Sequence, residues 1–144
     1  MMSIGLNPYL FFNGNTGEAV QFYEKALGGK VMGITTFGDM PADPNYPLSD
    51  DMKNRVMHAH LKVGDADLMF SDTYDGMPYQ PGETVQIAVH PKEEARAREI
   101  FAALEDGGQV IVPLHKTDWT PLYGMVKDKF GVNFHINVSG EQQQ

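Results

Sequence analysis

The stretch that decides the fold is WTPLYGMVKDKFGVNFHINV, residues 119–138. From residue 132 to residue 138, apolar and polar side chains alternate strictly, which predicts a strand with one apolar and one polar face. A partner strand is expected over residues 122–128, with a tight turn at 129–131. On the polar face two amides flank a histidine, Asn133, His135 and Asn137. This face is expected either to line a polar cavity or to form an unusual solvent face.

The composition excludes several function classes. A chain of 144 residues with 42% hydrophobic and 21% charged residues predicts one ordinary globular domain, residues 1–144. The net charge of −8 and the three arginines argue against nucleic acid and anionic membranes as partners. Cysteine is absent, which excludes disulfides and thiolate chemistry. No apolar run reaches the ~20 residues of a membrane span, so a cytoplasmic protein is the default expectation.

The first half of the chain is predicted to contain one helix and four strands. The helix has Asn15 as its N-cap, with Glu18 completing a capping-box pattern, and it ends at Gly28-Gly29. Its apolar face is expected to comprise Ala19, Phe22, Tyr23, Ala26 and Leu27. The predicted strands cover residues 6–12, 30–37, 55–63 and 66–72.

A polar arm over residues 39–54 interrupts this half. It contains three prolines, which block regular strand pairing. Loops of this length are uncommon without a role such as a lid or a dimer contact. A tolerated insertion without a role is the alternative, and the sequence leaves both open.

The second half repeats the plan after a turn-rich linker. Its helix is expected to begin at Pro91 and to end at Gly107. The predicted strands cover residues 83–90, 109–115, 122–128 and 132–138. The two helices align at an offset of 78 residues, which places Pro8 opposite Gln86. The chain is therefore predicted to duplicate one βαβββ module, residues 1–75 with the arm at 39–54, and residues 83–138.

Several short motifs accompany this duplication, and together they resemble one family. They include LNPYL before NGN at residues 6–15, FGDMP at 37–41, Ser71-Asp72, Trp119, and DKFGV at 128–132 followed by INV at 136–138. The chain resembles the PhnB-like branch of the vicinal oxygen chelate superfamily, which includes glyoxalase I, bleomycin-resistance proteins and extradiol dioxygenases. The resemblance covers nearly the whole chain.

The resemblance implies an α+β fold and a homodimer. Its two modules would form one curved mixed sheet, with the helices on the convex side and a cavity on the concave side. Trp119 and Tyr123 are expected either to cap this cavity with a flat aromatic contact or to be dimer or core residues. The other side chains expected to line it are Pro8, Leu10, Phe12, His58, His60, Met69, Ser71, Gln86, Ala88, Asn133, His135 and Asn137.

The resemblance also implies four positions for metal ligands. In this chain they are occupied by Pro8, Met69 or Ser71, Gln86 and His135. Proline and methionine are not ligands for a hard metal, so no metal at these positions and no other cofactor are expected. A relocated site is the alternative, because two histidines share one face of a strand and a third could complete the set. That candidate divalent-metal site is His58, His60 and His135.

Three functions from different classes follow. We favour the binding of a small molecule in the cavity, as bleomycin-resistance proteins do. The alternatives are a metal-dependent lyase, isomerase or dioxygenase, and a structural dimer module without a ligand. His135 is also a candidate acid–base group without metal, because imidazole titrates near neutral pH. The methyltransferase label that PhnB-like proteins often carry is discounted, since no glycine-rich loop for S-adenosylmethionine is present.

Overall fold

The computed structural model describes residues 3–139, which form two compact units divided between Gln80 and Pro81. We call residues 3–80 the first module and residues 81–139 the second module. Each module contains a four-stranded sheet and one 12-residue helix. In each sheet one pair of strands is parallel and the other two pairs are antiparallel. The predicted α+β class is therefore confirmed.

The first module builds its core between one helix and one face of its sheet. Tyr23 of the helix stacks on Phe70 of the sheet at a centroid distance of 5.9 Å, and both are fully buried. The strand order is β1-β4-β3-β2. The elements are β1 Tyr9–Phe12, α1 Thr16–Leu27, β2 Lys30–Thr36, α2 Asp50–Asn54, β3 Val56–Val63 and β4 Ala66–Asp72.

The second module repeats this arrangement, with the strand order β5-β8-β7-β6. Its helix packs Phe101 and Leu104 toward the sheet, whose Val126, Phe134 and Ile136 are fully buried. The apolar face predicted for the last strand is therefore confirmed. The elements are β5 Ile87–Val89, α3 Glu94–Glu105, β6 Gln109–His115, β7 Tyr123–Lys127 and β8 Asn133–Asn137.

The N-terminus of α1 is held by a carboxylate from the sheet. Asn15 is the N-cap as predicted, but its side chain makes no capping bond, so the predicted capping box is wrong. Asp72 replaces it: its Oδ1 accepts hydrogen bonds from Gly14 N at 2.8 Å, Thr16 N at 3.1 Å and Thr16 Oγ1 at 2.6 Å. A carboxylate at a helix N-terminus also interacts favourably with the helix dipole. The cap is therefore tertiary, and no local motif could have predicted it.

The start of the second module differs from its prediction. β5 is only three residues long, and α3 begins at Glu94 rather than at Pro91. The Gln86 side-chain nitrogen donates to the Glu83 carbonyl at 3.1 Å, so the chain turns before β5 instead of extending. The Pro91 carbonyl accepts a hydrogen bond from Ser139 N at 2.9 Å, which keeps residue 91 outside the helix.

The arm is more ordered than a plain loop. A 3₁₀ turn, Phe37–Asp39, leads into it, and there Thr36 and Asp39 form a capping box. The arm ends with α2, where Ser49 Oγ accepts a hydrogen bond from Met52 N at 3.2 Å. The segment described as a long loop therefore carries a short helical turn at each end. No helix among residues 3–139 is long and apolar enough to cross a membrane.

Candidate functional site

The cavity residues predicted in the second module lie together on one face of its sheet. The opposite face packs on α3. Cα pairing places Ala88 and Met125 beside His135, and Tyr123 beside Asn137. We call this surface the polar face. Its side chains are Gln86, Ala88, Tyr123, Met125, Lys127, Asn133, His135 and Asn137.

His135 is at the centre of the polar face, and both of its ring nitrogens are hydrogen-bonded. Because the Gln86 amide nitrogen donates to Glu83, the Gln86 oxygen Oε1 faces His135 Nε2, at 2.5 Å. In the neutral imidazole Nε2 therefore carries the proton, and Nδ1 accepts from the Tyr123 hydroxyl at 2.7 Å. The half-buried ring is thus held in one tautomer and one orientation.

A carboxylate fixes the neighbouring end of the polar face. Glu83 Oε2 accepts a hydrogen bond from the Asn133 amide at 2.6 Å, and Glu83 Oε1 accepts one from the Lys127 ammonium. The hydrogen bond to Lys127, followed by the one to Asn133, lowers the pKa of Glu83 below its ordinary value of 4.5. Asn133 is buried, so its amide belongs to the scaffold of the site rather than to a ligand contact.

An aromatic cluster surrounds Tyr123 at the other end. The Tyr123 ring lies 5.8 Å from Trp119, 5.9 Å from His135 and 6.0 Å from His115, measured between centroids. The Trp119 indole is 60% exposed, and its Nε1 donates to Asn137 Oδ1 at 3.1 Å. Asn137 thereby fixes the orientation of an exposed flat ring, which can stack on a planar ligand.

In the first module, the sheet face that points away from α1 carries a different set of side chains, and we call it the histidine face. Its side chains are Tyr9, Phe11, His58, His60, Lys62, Asp67, Met69 and Ser71. His58 Nδ1 is hydrogen-bonded to the Tyr9 hydroxyl at 3.0 Å. His60 Nε2 donates to Asp67 Oδ1 at 2.7 Å, and this bond is the main cause of the lowered pKa of Asp67.

The two remaining predicted residues of the histidine face are tied to the sheet itself. Met69 is the Cα partner of both Tyr9 and His60. Ser71 is buried, and its hydroxyl donates to the Asp72 carbonyl at 2.8 Å. Ser71 therefore satisfies a backbone acceptor.

The face assigned to the first strand was wrong. Leu10 pairs with Phe70 and Phe12 pairs with Asp72, so both point toward α1, and Phe12 is 2% exposed. Tyr9 and Phe11 occupy the histidine face instead. The error came from the alignment of Pro8 with Gln86 at the offset of 78 residues between the helices. By strand pairing Leu10 corresponds to Ile87, an offset of 87 − 10 = 77 residues.

The residues at the implied metal positions do not fit a divalent metal. Pro8 supplies only its carbonyl, which accepts from Met69 N at 3.1 Å. Gln86 and His135 bind each other, and the second ring nitrogen of His135 is bound to Tyr123. Within residues 3–139 no group of three or more His, Asp or Glu side chains is placed to hold a metal ion. The relocated site at His58, His60 and His135 would draw on both modules, and it stays a prediction.

Three partners in these networks had not been predicted. Glu83 was predicted to begin a strand but lies in the turn before β5, so strand alternation did not identify its side chain as a partner. Asp67 could have been found, because a hairpin with a tight turn at Gly64-Asp65 pairs Lys62 with residue 67 and brings it near His60. Tyr9 was missed only through the one-residue error in β1.

The comparisons with known proteins agree with this architecture. The sequence profile of the Glyoxalase/Bleomycin resistance protein/Dioxygenase superfamily matches residues 5–136. Protein YjdN of Escherichia coli K12 is 31% identical over an alignment of 144 positions, which covers 95% of this chain and 97% of YjdN. The crystal structure of protein PA1353 from Pseudomonas aeruginosa is 37% identical, with a TM-score of 0.85 and coverage of 96% of this chain and 100% of that chain.

Two more distant structures share the fold. The PhnB protein from Bacillus cereus is 21% identical, with a TM-score of 0.76. The match covers 94% of this chain and 100% of that chain. The fosfomycin resistance protein FosX from Listeria monocytogenes is 10% identical, with a TM-score of 0.66. The match covers 99% of this chain and 98% of that chain. The predicted resemblance to PhnB-like vicinal oxygen chelate proteins is confirmed.

Proposed function

Since the chain belongs to the Glyoxalase/Bleomycin resistance protein/Dioxygenase superfamily, we propose that it binds a small planar molecule on the polar face of the second module. The observation that supports this most strongly is the fixed geometry of His135. Its two ring nitrogens are bound to Tyr123 and Gln86, and an exposed indole lies at the edge of the same cluster. A preorganised set of few polar groups beside aromatic rings is typical of ligand sites.

The contacts define the ligand that would fit. Because the Tyr123 hydroxyl donates to His135, its oxygen remains an acceptor for a donor group on the ligand. The face of Trp119 would stack on the ligand ring, which is worth about 0.5–1.5 kcal/mol beyond the burial of area. Lys127 is already paired with Glu83, so the polar face favours an uncharged ligand over an anion.

The proposal includes a homodimer, as the family resemblance implies, and no metal. A metal-dependent lyase, isomerase or dioxygenase would require convergent ligands, and the donors at the implied positions are engaged with other side chains. The dimer is tested by light scattering coupled to gel filtration, where the proposal predicts twice the 16.0 kDa mass of one chain.

Trp119 makes the binding test specific, since it is the single tryptophan of the chain. A thermal-shift screen of planar metabolites and aromatic antibiotics would select ligands that stabilise the protein. Each ligand would then be titrated while the emission of Trp119 is recorded. We expect a saturable change in emission. His135→Gln should weaken binding about tenfold, because it removes the ring nitrogen that orients the Tyr123 hydroxyl for the ligand.

His60→Gln is the matched control, because it changes a histidine of the first module and should leave the affinity unchanged. If no ligand shifts either melting temperature or emission, the proposal fails and a structural dimer module is favoured. If protein purified without an affinity tag after growth with Zn, Ni, Mn and Fe contains stoichiometric metal, the enzymatic alternative replaces it.

A further inference from the structure

We infer that the arm of the first module forms a second binding site, for an apolar molecule that carries one anionic group. The arm lines an open cleft of about 480 Å³ between the 3₁₀ turn and α2, which we call the arm cavity. Sites for small molecules have volumes of about 300–1,000 Å³. This cavity lies in the first module, on residues that the proposed function does not use.

The walls of the arm cavity are mainly apolar. Phe37, Met40, Tyr46 and Leu48 contribute to them, together with three prolines. Met40, Tyr46 and Leu48 are exposed, so an apolar ligand would remove their surface from water. Proline fixes the backbone angle φ, which lowers the entropy lost when a ligand orders such a segment.

Both ends of the arm are held in place before any ligand binds. Phe37 N donates to the Arg55 carbonyl at 3.0 Å, which joins the 3₁₀ turn to the chain just after α2. A Cβ atom at Gly38 would lie 2.8 Å from the Lys53 carbonyl oxygen, so only glycine permits this approach. The cavity is therefore a built feature of the arm rather than a gap in a loose loop.

The charges on the cavity wall indicate that the ligand carries an anionic group. Asp43 and Lys53 are the charged residues that line it. The Asp43 carboxylate accepts a hydrogen bond from Asn45 N at 2.9 Å and so takes part in a turn of the arm itself. Lys53 lies in the last turn of α2 and is exposed, which leaves its ammonium group accessible to an anion. A carboxylate or sulfonate on an apolar body matches this wall.

Two fluorescent probes test the site, anilinonaphthalene sulfonate and N-phenylnaphthylamine, which share their rings but differ in the anionic group. In the Trp119→Ala variant, which removes the indole of the polar face, both should still bind with one molecule per chain. Ala42→Phe narrows the cavity and should weaken both probes at least about tenfold. Lys53→Gln should weaken the sulfonate about threefold to fivefold, the size of one exposed ion pair, and leave the neutral probe unchanged.

Matched controls are Ala102→Phe on the exposed side of α3 and Lys25→Gln in the last turn of α1, and neither should alter binding. Circular dichroism should show that Ala42→Phe is folded. The inference is overturned if neither probe binds, or if Ala42→Phe binds like the wild type. It is also overturned if Trp119→Phe abolishes probe binding, which would place the probe on the polar face, or if binding weakens as protein concentration rises, which would indicate a second copy in the cavity.

Discussion

The two modules share one plan but differ at the point where the parallel strand pair meets the helix. In the first module Asp72 pairs with Phe12 and caps α1 with its carboxylate. In the second module Ile136 pairs with Val89, and the helix that follows has no side-chain hydrogen bond at its N-cap. One module thus uses a carboxylate to join sheet and helix, and the other has an apolar side chain at the equivalent sheet position.

The two modules also differ on the face of each sheet that points away from its helix. On the histidine face, His58 and His60 bind separate partners, Tyr9 and Asp67. On the polar face, Gln86, His135 and Tyr123 form one continuous hydrogen-bonded chain beside an exposed indole. Duplication of a fold therefore does not duplicate the site, and only the second module carries the connected network from which we propose ligand binding.

The largest difference between the modules is expected from Asp72→Ala. The substitution leaves Gly14 N, Thr16 N and Val56 N without the acceptor that they share, in a place where the side chain is 1% exposed. It should lower the free energy of unfolding by about 3–5 kcal/mol, measured by urea denaturation. Ile136→Val, at the equivalent position, should cost about 1 kcal/mol. Equal losses in the two variants would refute the contrast.

A second contrast lies at the glycines that connect each helix to the following strand. A Cβ atom at Gly108 would lie 2.3 Å from the Lys127 carbonyl oxygen, whereas one at Gly29 would lie 3.0 Å from that of Lys62. Gly108→Ala should therefore destabilise the protein by about 3 kcal/mol and Gly29→Ala by about 1 kcal/mol. Thermal unfolding of both variants measures the difference, and a larger loss for Gly29→Ala would contradict it.

Removal of one tyrosine hydroxyl in each module tests whether the ligand binds on the polar face or on the histidine face. Tyr123→Phe deletes the hydrogen bond to His135, and Tyr9→Phe deletes the one to His58. Each variant should lose about 1 kcal/mol of stability. Only Tyr123→Phe should also weaken the ligand selected by the thermal-shift screen, by about fivefold to tenfold in a fluorescence titration. The same loss of affinity in Tyr9→Phe would place the ligand elsewhere.

The smallest expected effect concerns pH. The pKa values of Asp67 and Glu83 are lowered by hydrogen bonds to His60 and to Lys127. A lowered pKa stabilises the fold above the unfolded value of 3.8 or 4.5, and this stabilisation is lost as pH falls through the folded value. Asp67→Asn and Glu83→Gln should each reduce the decline in stability between about pH 5 and pH 2. If both variants lose stability at low pH as the wild type does, the lowered pKa values of Asp67 and Glu83 are contradicted.

Much of this fold could be predicted because it follows local patterns. β4 and β6 were predicted with their observed ends, and Gly28 ends α1 with a positive φ of 70°. The alternation in β8 identified both the buried face and the polar face. These features depend on side-chain period and on glycine, which the sequence displays directly.

The contacts between distant residues could not be predicted in the same way. Asp72 is 56 residues away from Thr16 in sequence, so its capping role depends on strand register. The face of β1 required the same information, and an error of one residue exchanged Leu10 and Phe12 for Tyr9 and Phe11. Glu83 joined the network through a turn that no repeat predicts. The predictions that failed are those that depend on how distant strands and turns pair in the folded protein.

The most direct test of the central claim is nitrogen NMR of protein labelled at its five histidines. We predict that His135 shows the tautomer protonated at Nε2, and that a saturating ligand shifts its resonances while those of His58 and His60 stay in place. Unchanged His135 resonances, or ligand-induced shifts confined to His58 and His60, would contradict the claim that the polar face of the second module is the binding site.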